Sequence, residues 1–224
     1  MNRNYNHGDI MANDDDVILL SEITRYLEMQ HNYNAAIKEV RTKLEILSDE
    51  FAAKHDHNPI HNIESRLKSP HSIVKKLRKR SLNVSVPSAR ENLHDIAGVR
   101  VICCYIDDIY TIANLLTSQN DITLIQIKDY IKNPKPNGYR SLHLVLSIPI
   151  FLSEGPVDIP VEIQIRTVAM DVWASLEHEL RYKTKNSIPD TANDELCACA
   201  SMLSDLDLRM QNLFRQAIGK PEND

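Results

Sequence analysis

Ile159-Pro160-Val161-Glu162-Ile163-Gln164-Ile165-Arg166 is the stretch that decides the fold. Ile159, Val161, Ile163 and Ile165 alternate with Glu162, Gln164 and Arg166, the period of two that marks a strand. One face is apolar and belongs in a core. The other carries an acid, an amide and a base in a row, which is either a solvated face or the lining of a site. Upstream, Leu142 to Ile148 puts Leu142, Leu144, Leu146 and Ile148 on one face, while Val99 to Cys104 and Ile122 to Ile127 read as two further short strands. Downstream, Val168 to Lys183 reads as a helix with Val168, Val172, Leu176 and Leu180 inward and with Glu177 and Arg181 on another side.

Between these strands the spacing turns helical. Asp107 to Ser118 repeats Ile109, Ile112, Leu115 and Leu116 at helical spacing, and Asn133 to Gly138, with two prolines and a glycine, is a loop. Ahead of the strands, Val17 to Ala53 is helical, with Tyr33, Ile37, Val40, Leu44, Leu47 and Phe51 on one face, until His55 to Pro59 breaks it. A basic helix follows. Ser72, Lys76 and Arg80 share one face and Ile73 and Leu77 another. Seven Lys/Arg and no acid fall between Arg66 and Arg80, inside a chain whose net charge is −5. A solvated face is the plain reading of such a run, and the local contrast adds weight to a phosphate-facing role. Pro189 opens a last helix, where Leu196, Cys199, Leu203, Leu206, Met210, Leu213 and Ala217 alternate at three and four residues. Such a helix either lies on its own domain or joins subunits.

The fold expected is α/β (α+β): a mixed sheet of about five strands flanked by helices, with added N- and C-terminal helices. The strand-helix-strand order suggests a parallel pair, and the later strands are free to meander. The division expected is a disordered tail over 1–16, one domain over 17–188, a C-terminal helix over 189–217 that is a candidate oligomer contact, and a short tail over 218–224. With 3 Phe and 1 Trp, the core must be built from Ile, Leu and Val. The acidic balance argues against a bulk nucleic-acid binder, so RNA binding is not indicated. No apolar run approaches the roughly 18 to 20 residues of a membrane span. The polar, Asn/Asp-rich N-terminus has no secretory apolar region. Cys103, Cys104, Cys197 and Cys199 read as small buried hydrophobes of a reducing compartment, so the expected location is cytoplasmic.

Asp95 stands just before the strand that carries Arg100, and Glu162 stands mid-strand on the polar face. Two carboxylates on neighbouring strands suit Mg²⁺, which takes oxygen ligands and completes its shell with water and substrate phosphates. Phosphoryl-type transfer needs such a metal together with cations around the developing charge, and the basic helix offers them. In Pro136-Asn137-Gly138-Tyr139-Arg140-Ser141-Leu142-His143, a glycine precedes an aromatic at a loop-to-strand junction, which suits Tyr139 either to stack on a base or to pack at the edge of the core.

Five ordered segments together resemble the synthetase domain of the RelA/SpoT alarmone enzymes. They are Ser65-Arg66-Leu67-Lys68 with Ser72-Ile73 and Lys76; Asp95-Ile96-Ala97-Gly98-Val99-Arg100; Lys128-Asp129-Tyr130-Ile131 with Pro134-Lys135; Gly138-Tyr139-Arg140-Ser141; and Val161-Glu162-Ile163-Gln164-Ile165-Arg166-Thr167. The likeness covers about Ile37 to Lys183. The single-domain form, with Trp173 and Glu177-His178 on the following helix, is similar to the small alarmone synthetases. The resemblance implies a nucleotidyltransferase-like fold. It implies transfer of the β,γ-pyrophosphoryl group of ATP to the 3′-hydroxyl of GDP or GTP, leaving AMP. It also implies Mg²⁺ held by Asp95 and Glu162, with Glu162 helping to activate the 3′-hydroxyl. By the same likeness Arg66 and Arg100 sandwich adenine, Lys68, Ser72 and Lys76 contact ATP phosphates, and Tyr139 stacks on guanine. Lys128, Lys135, Arg140, His143 and Gln164 surround the acceptor. A homo-oligomer, a tetramer in some relatives, is implied as well.

About 50 residues precede the first motif, too few for the metal-dependent hydrolase domain of the long members, so synthesis without hydrolysis is expected. Glu64 and Asp171 would disfavour a polyphosphate if they faced the product-binding cleft of some tetrameric relatives. Two other readings remain open: a toxin-type relative that pyrophosphorylates tRNA 3′ ends or adenosine nucleotides, and a non-catalytic nucleotide- or RNA-binding regulator. The intact Asp95, Glu162, Arg66 and Tyr139 argue against the second.

Overall fold

A computed structural model describes residues 14–183 and 189–218. The expected tails fall largely outside these residues, as does the boundary at 188. Helix α1 (Asp14–Lys54) leads into β1 (Ile60–Leu67), α2 (Pro70–Lys79) and α3 (Val86–Asn92). Then come β2 (Ala97–Cys103), α4 (Ile106–Thr117), β3 (Thr123–Asp129), β4 (Leu142–Leu152), β5 (Gly155–Thr167), α5 (Val168–Lys183) and α6 (Asp190–Ala217). The five strands form one sheet in the order β1-β2-β5-β4-β3. Only β2 and β5 pair in parallel; the other neighbours are antiparallel. The mixed five-stranded sheet flanked by helices is therefore as expected. The parallel pair is not the sequential one. β3 does run in the direction of β2, but β5 and β4 lie between them.

The core forms where the alternation demanded it. Val161, Ile163 and Ile165 of β5, Leu142, Leu144 and Leu146 of β4, and Val99 and Val101 of β2 are buried. Met29, Tyr33, Ala36, Val40 and Leu44 of α1 and Ile109, Ile112 and Leu116 of α4 pack on them. This 41-residue helix spans about 60 Å. Its first turns extend past the core, leaving Val17, Ile18, Leu19 and Leu20 exposed.

Other features also differ from expectation. β1 is a strand that the sequence reading left unassigned; as an edge strand exposed on most of its residues, it shows little alternation. α3 was also unassigned, although Ser85 caps it and Pro87 sits in its first turn, a recognised start signal. On α5 the expected inward stripe is turned out: Val168, Val172, Leu176 and Leu180 are exposed, and Met170 and Trp173 are buried instead. On α6 the side facing the domain is Ala200, Asp207 and Gln211, which leaves Leu206, Met210 and Leu213 exposed. Periodicity identifies an apolar stripe but not which face a neighbouring helix covers. Here α6 docks through small and polar residues on the Gly138 loop, the end of β5 and the start of α4. Of the four cysteines, all unpaired, only Cys103 is buried, and Cys199 is exposed.

Candidate active site

Strand register builds the site. Glu64 of β1 lies opposite Arg100 of β2, which lies opposite Gln164 of β5, His143 of β4 and finally Lys128 of β3. One step along, Arg66, Gly98 and Glu162 form a second row. Residues directly opposite one another project from the same face, so β1, β2 and β5 share one polar surface. Gly98 has no side chain between Arg66 and Glu162, and a Cβ there would touch Arg66 Cγ at 3.7 Å. An open cleft of about 410 Å³ follows, lined by Glu64, Arg66, Asp95, Arg100, Glu162 and Gln164.

α2 closes one side of this cleft. Ser69 caps it and Pro70 begins it, so Lys76 is carried beside Asp95. Lys68 and Lys76 both donate to Asp95 Oδ2 at 2.6 Å. Asp95 Oδ1 is buried and has no partner. Burial pushes the Asp95 carboxyl up, but hydrogen bonds and charge from the two lysines outweigh it and hold the group below its ordinary value. Glu162 behaves alike. Burial raises it, while the adjacent His143 and a hydrogen bond from Gln164 bring it down overall. Gln164 Nε2 donates to Glu162 Oε2 at 2.9 Å, and His143 Nδ1 stands 3.6 Å from Oε1. A depressed carboxylate adds stability that is present above its unfolded pKa and is lost as pH falls through the folded one. The unfolding free-energy difference between the native chain and Asp95→Asn should therefore be flat above about pH 5 and shrink below about pH 4. Urea titrations across that range check it, and a difference that grows on acidification contradicts it.

The arginines are braced by acids. Arg100 Nη1 donates to Glu64 Oε2 at 3.1 Å and lies 3.5 Å from Asp171 Oδ1. Arg166, 2% exposed, donates to Asp171 at 3.3 Å, to Gln164 Oε1 at 2.7 Å and to the Tyr139 hydroxyl at 3.4 Å. Glu64 and Asp171 thus orient cleft arginines. The sequence named both acids for another reason, and it gave Arg166 no role beyond its place in the polar row.

An aromatic corner adjoins Glu162. The Tyr139 hydroxyl shares a 2.8 Å hydrogen bond with His143 Nε2, and Lys135 Nζ stands 4.7 Å from the Tyr139 ring and 4.6 Å from that of Tyr130. Burial raises the Tyr139 phenol despite Arg166 nearby, which keeps it protonated. The loop base is pinned because Asp129 Oδ1 accepts from the amides of Ile131 and Lys132, and Tyr130 N–H donates to the Ser141 carbonyl. The ring contacts of Tyr130 are set by how the loop folds and were not legible in the sequence.

The candidates do not all converge. Arg66, Lys68, Lys76, Asp95, Arg100, Glu162 and Gln164 meet at the cleft, with Tyr139, His143 and Lys135 beside it. Ser72 stays at the start of α2, where its Oγ accepts from Ser69 Oγ at 2.9 Å. Lys128 is exposed on the edge strand opposite His143. Arg140 turns away, donating to the Ile131 carbonyl at 3.1 Å and lining a second cavity under α6.

Among the described residues no group of three or more His, Cys, Asp or Glu is disposed to hold a metal. The pair fits a metal all the same. Asp95 keeps one buried oxygen without a partner, and Glu162 stands ionised on the adjacent strand. Such a pair supplies two hard oxygen ligands and leaves the rest to phosphate and water, as Mg²⁺ prefers. No helix of the described residues is long and apolar enough to cross a membrane.

Residues 65–187 match the family model described as the region found in RelA / SpoT proteins. The chain is similar to the GTP pyrophosphokinase YwaC of Bacillus subtilis (strain 168), with 44% identity over 82% of this chain and 88% of that protein. The fold is similar to the crystal structure of small alarmone synthetase 2 from Bacillus subtilis, with a TM-score of 0.78, 42% identity, and 85% and 98% of the two chains covered. It is also similar to small alarmone synthetase 1 from the same organism bound to its product pppGpp, with a TM-score of 0.79, 34% identity, and 85% and 97% covered.

Proposed function

This chain belongs to the RelA/SpoT family, and we infer that its cleft is a GTP pyrophosphokinase centre making (p)ppGpp. The β,γ-pyrophosphoryl group of ATP passes to the 3′-hydroxyl of GDP or GTP, and AMP leaves. One observation carries the residue assignment. Asp95, clamped by two lysines and keeping one free oxygen, stands on the same surface as Glu162, between a pair of arginines and an aromatic corner.

In this reading Arg66 and Arg100 flank the adenine, with Glu64 and Asp171 fixing the plane of Arg100. Lys68 and Lys76 neutralise the ATP phosphates, and Ser72 adds a hydroxyl from the start of α2. Asp95 and Glu162 would hold Mg²⁺, which supplies charge neutralisation at the pyrophosphate. Tyr139 stacks on guanine, while Lys135, Lys128, His143 and Gln164 border the acceptor and Arg140 supports its loop. The 3′-oxygen forms a bond to the β-phosphorus. The bond from that phosphorus to the oxygen shared with the α-phosphate breaks, and its electron pair leaves with AMP. Glu162 accepts the hydrogen bond of the 3′-hydroxyl and takes up its proton. Its lowered pKa makes it a modest base, so the cations around the departing phosphate supply most of the assistance.

Losing the ring should show in the acceptor. Tyr139→Ala should raise KM for GDP or GTP by about 5- to 150-fold, the equivalent of about 1–3 kcal/mol of stacking. KM for ATP should stay nearly constant, and Tyr139→Phe should recover most of the loss. Steady-state kinetics with each substrate varied decide this; an equal rise in both KM values contradicts the guanine assignment.

The same reading makes 17–188 the synthetase unit, 189–217 a subunit contact, and the assembly a homotetramer in the cytoplasm. The exposed apolar stripes on α5 and α6 support the oligomer. Light scattering on the native chain tests it, and a monomer at working concentration contradicts it.

A further inference from the structure

The loop that carries Lys135 and Tyr139 is pressed from behind. Gly138 has φ +88, and a Cβ there would lie 2.5 Å from Ala200 Cβ of α6. Just before this contact the loop is tied down. Asn137 Nδ2 donates to Glu177 Oε1 of α5 at 3.1 Å, and Cys197 Sγ of α6 donates to the Pro136 carbonyl at 3.5 Å. Trp173 Nε1 donates to the Leu196 carbonyl at 2.9 Å, which fixes α6 to α5 beside the loop.

α6 is itself held at two further places, the end of β5 and the start of α4. Thr167, the last residue of β5, donates to the buried Asp207 at 2.6 Å and accepts from the Met170 amide. Nearer its C-terminal end, Gln211 accepts from the Asp107 amide at 2.9 Å, Arg215 pairs with Asp107 at 2.9 Å, and Phe214 stacks on Tyr105 with ring centroids 4.1 Å apart. α6 is therefore a fixed backstop, and the loop is the element it sets in place.

We propose that Ala200 is a positioning residue for the acceptor nucleotide: through its contact with Gly138 it sets where Tyr139 and Lys135 stand over the guanine site. The proposal rests on the acceptor reading of Tyr139 given above. Ala200 touches neither substrate. Its size decides how far the loop advances into the cleft, because Gly138 leaves no spare volume between the two backbones. The ATP side, built on β1, β2 and α2, is not part of this contact and should not register a change there.

Ala200→Leu should raise KM for GDP by about 10-fold or more while KM for ATP moves less than about twofold. Binding of GDP alone should weaken by a similar factor. Trp173, the only tryptophan in the chain, lies 6.4 Å from Tyr139 by ring centroids and provides the fluorescence readout. A second pair guards against a misfolded variant. Gly138→Ala should also raise KM for GDP, and adding Ala200→Gly should recover part of that loss, the remainder reflecting the positive φ. A rise in both KM values together, an unchanged KM for GDP in Ala200→Leu, or no recovery in the double variant overturns the proposal. These results differ from failure of the functional reading itself. In that case the native chain would release no AMP with any guanine nucleotide and would show no fluorescence response to GDP, and the role of Ala200 would fall with it.

Discussion

Glu162→Gln should lower turnover by about 10²- to 10⁴-fold while lowering the thermal midpoint only slightly. The substitution keeps shape and removes charge. Glu162 lies mid-strand in β5, with its neighbours Val161 and Ile163 buried, so the backbone beneath it does not depend on the carboxylate. Gln164 donates to one oxygen and His143 approaches the other, which holds the group ionised and aimed across the cleft. A charge that acts on the reacting hydroxyl and the metal is felt most in the transition state. The loss should therefore appear in kcat more than in either KM. Near-normal turnover would show that Glu162 is only a polar surface residue of the sheet.

Asp95→Asn should be at least as damaging to turnover, by about 10²- to 10⁴-fold, since several kcal/mol of metal-borne charge stabilisation are lost. Its physical signature differs from that of Glu162. In the native chain Lys68 and Lys76 converge on one oxygen of this carboxylate at 2.6 Å each. Without the negative charge two ammonium groups face a neutral amide, so Asp95→Asn should lose more stability than Glu162→Gln. The concentration of Mg²⁺ needed for half-maximal rate should rise. Binding of Mn²⁺, followed by its paramagnetic signal in the presence of a non-hydrolysable ATP analogue, should weaken in parallel. A variant that turns over normally, or that loses rate with no change in metal dependence, contradicts the assignment of Asp95.

The central strand was legible because its two faces obey opposite demands. Ile159 to Ile165 fill a core from one side, and Glu162, Gln164 and Arg166 occupy a cleft on the other, so composition alternates strictly. The pairing around it was much less legible. Lys68 and Asp95 are 27 positions apart, and only the antiparallel β1–β2 register with the turn into α2 brings them together. β1 escaped notice because an edge strand lacks one neighbour and tolerates polar residues on both faces. The brace of Arg100 by Glu64 and Asp171 joins β1 to α5 across β2, a relation that no local pattern encodes. The outward turn of Val168, Val172, Leu176 and Leu180 has the same origin. The helix was read correctly, but its covered side is set by where α6 lands, and α6 docks through Ala200, Asp207 and Gln211. The ordered family-like segments supplied what periodicity lacked: which polar residues, distant in sequence, belong to one site.

Product analysis tests the central claim most directly. The native chain is incubated with Mg²⁺, ATP labelled at the β-phosphorus, and separately GMP, GDP, GTP or tRNA, and the products are resolved by anion exchange. The account predicts AMP in equimolar amount with ppGpp from GDP or pppGpp from GTP, with the label on the 3′-pyrophosphate. No AMP and no 3′-pyrophosphorylated guanine nucleotide from any of these acceptors, or label found only on tRNA, would contradict it.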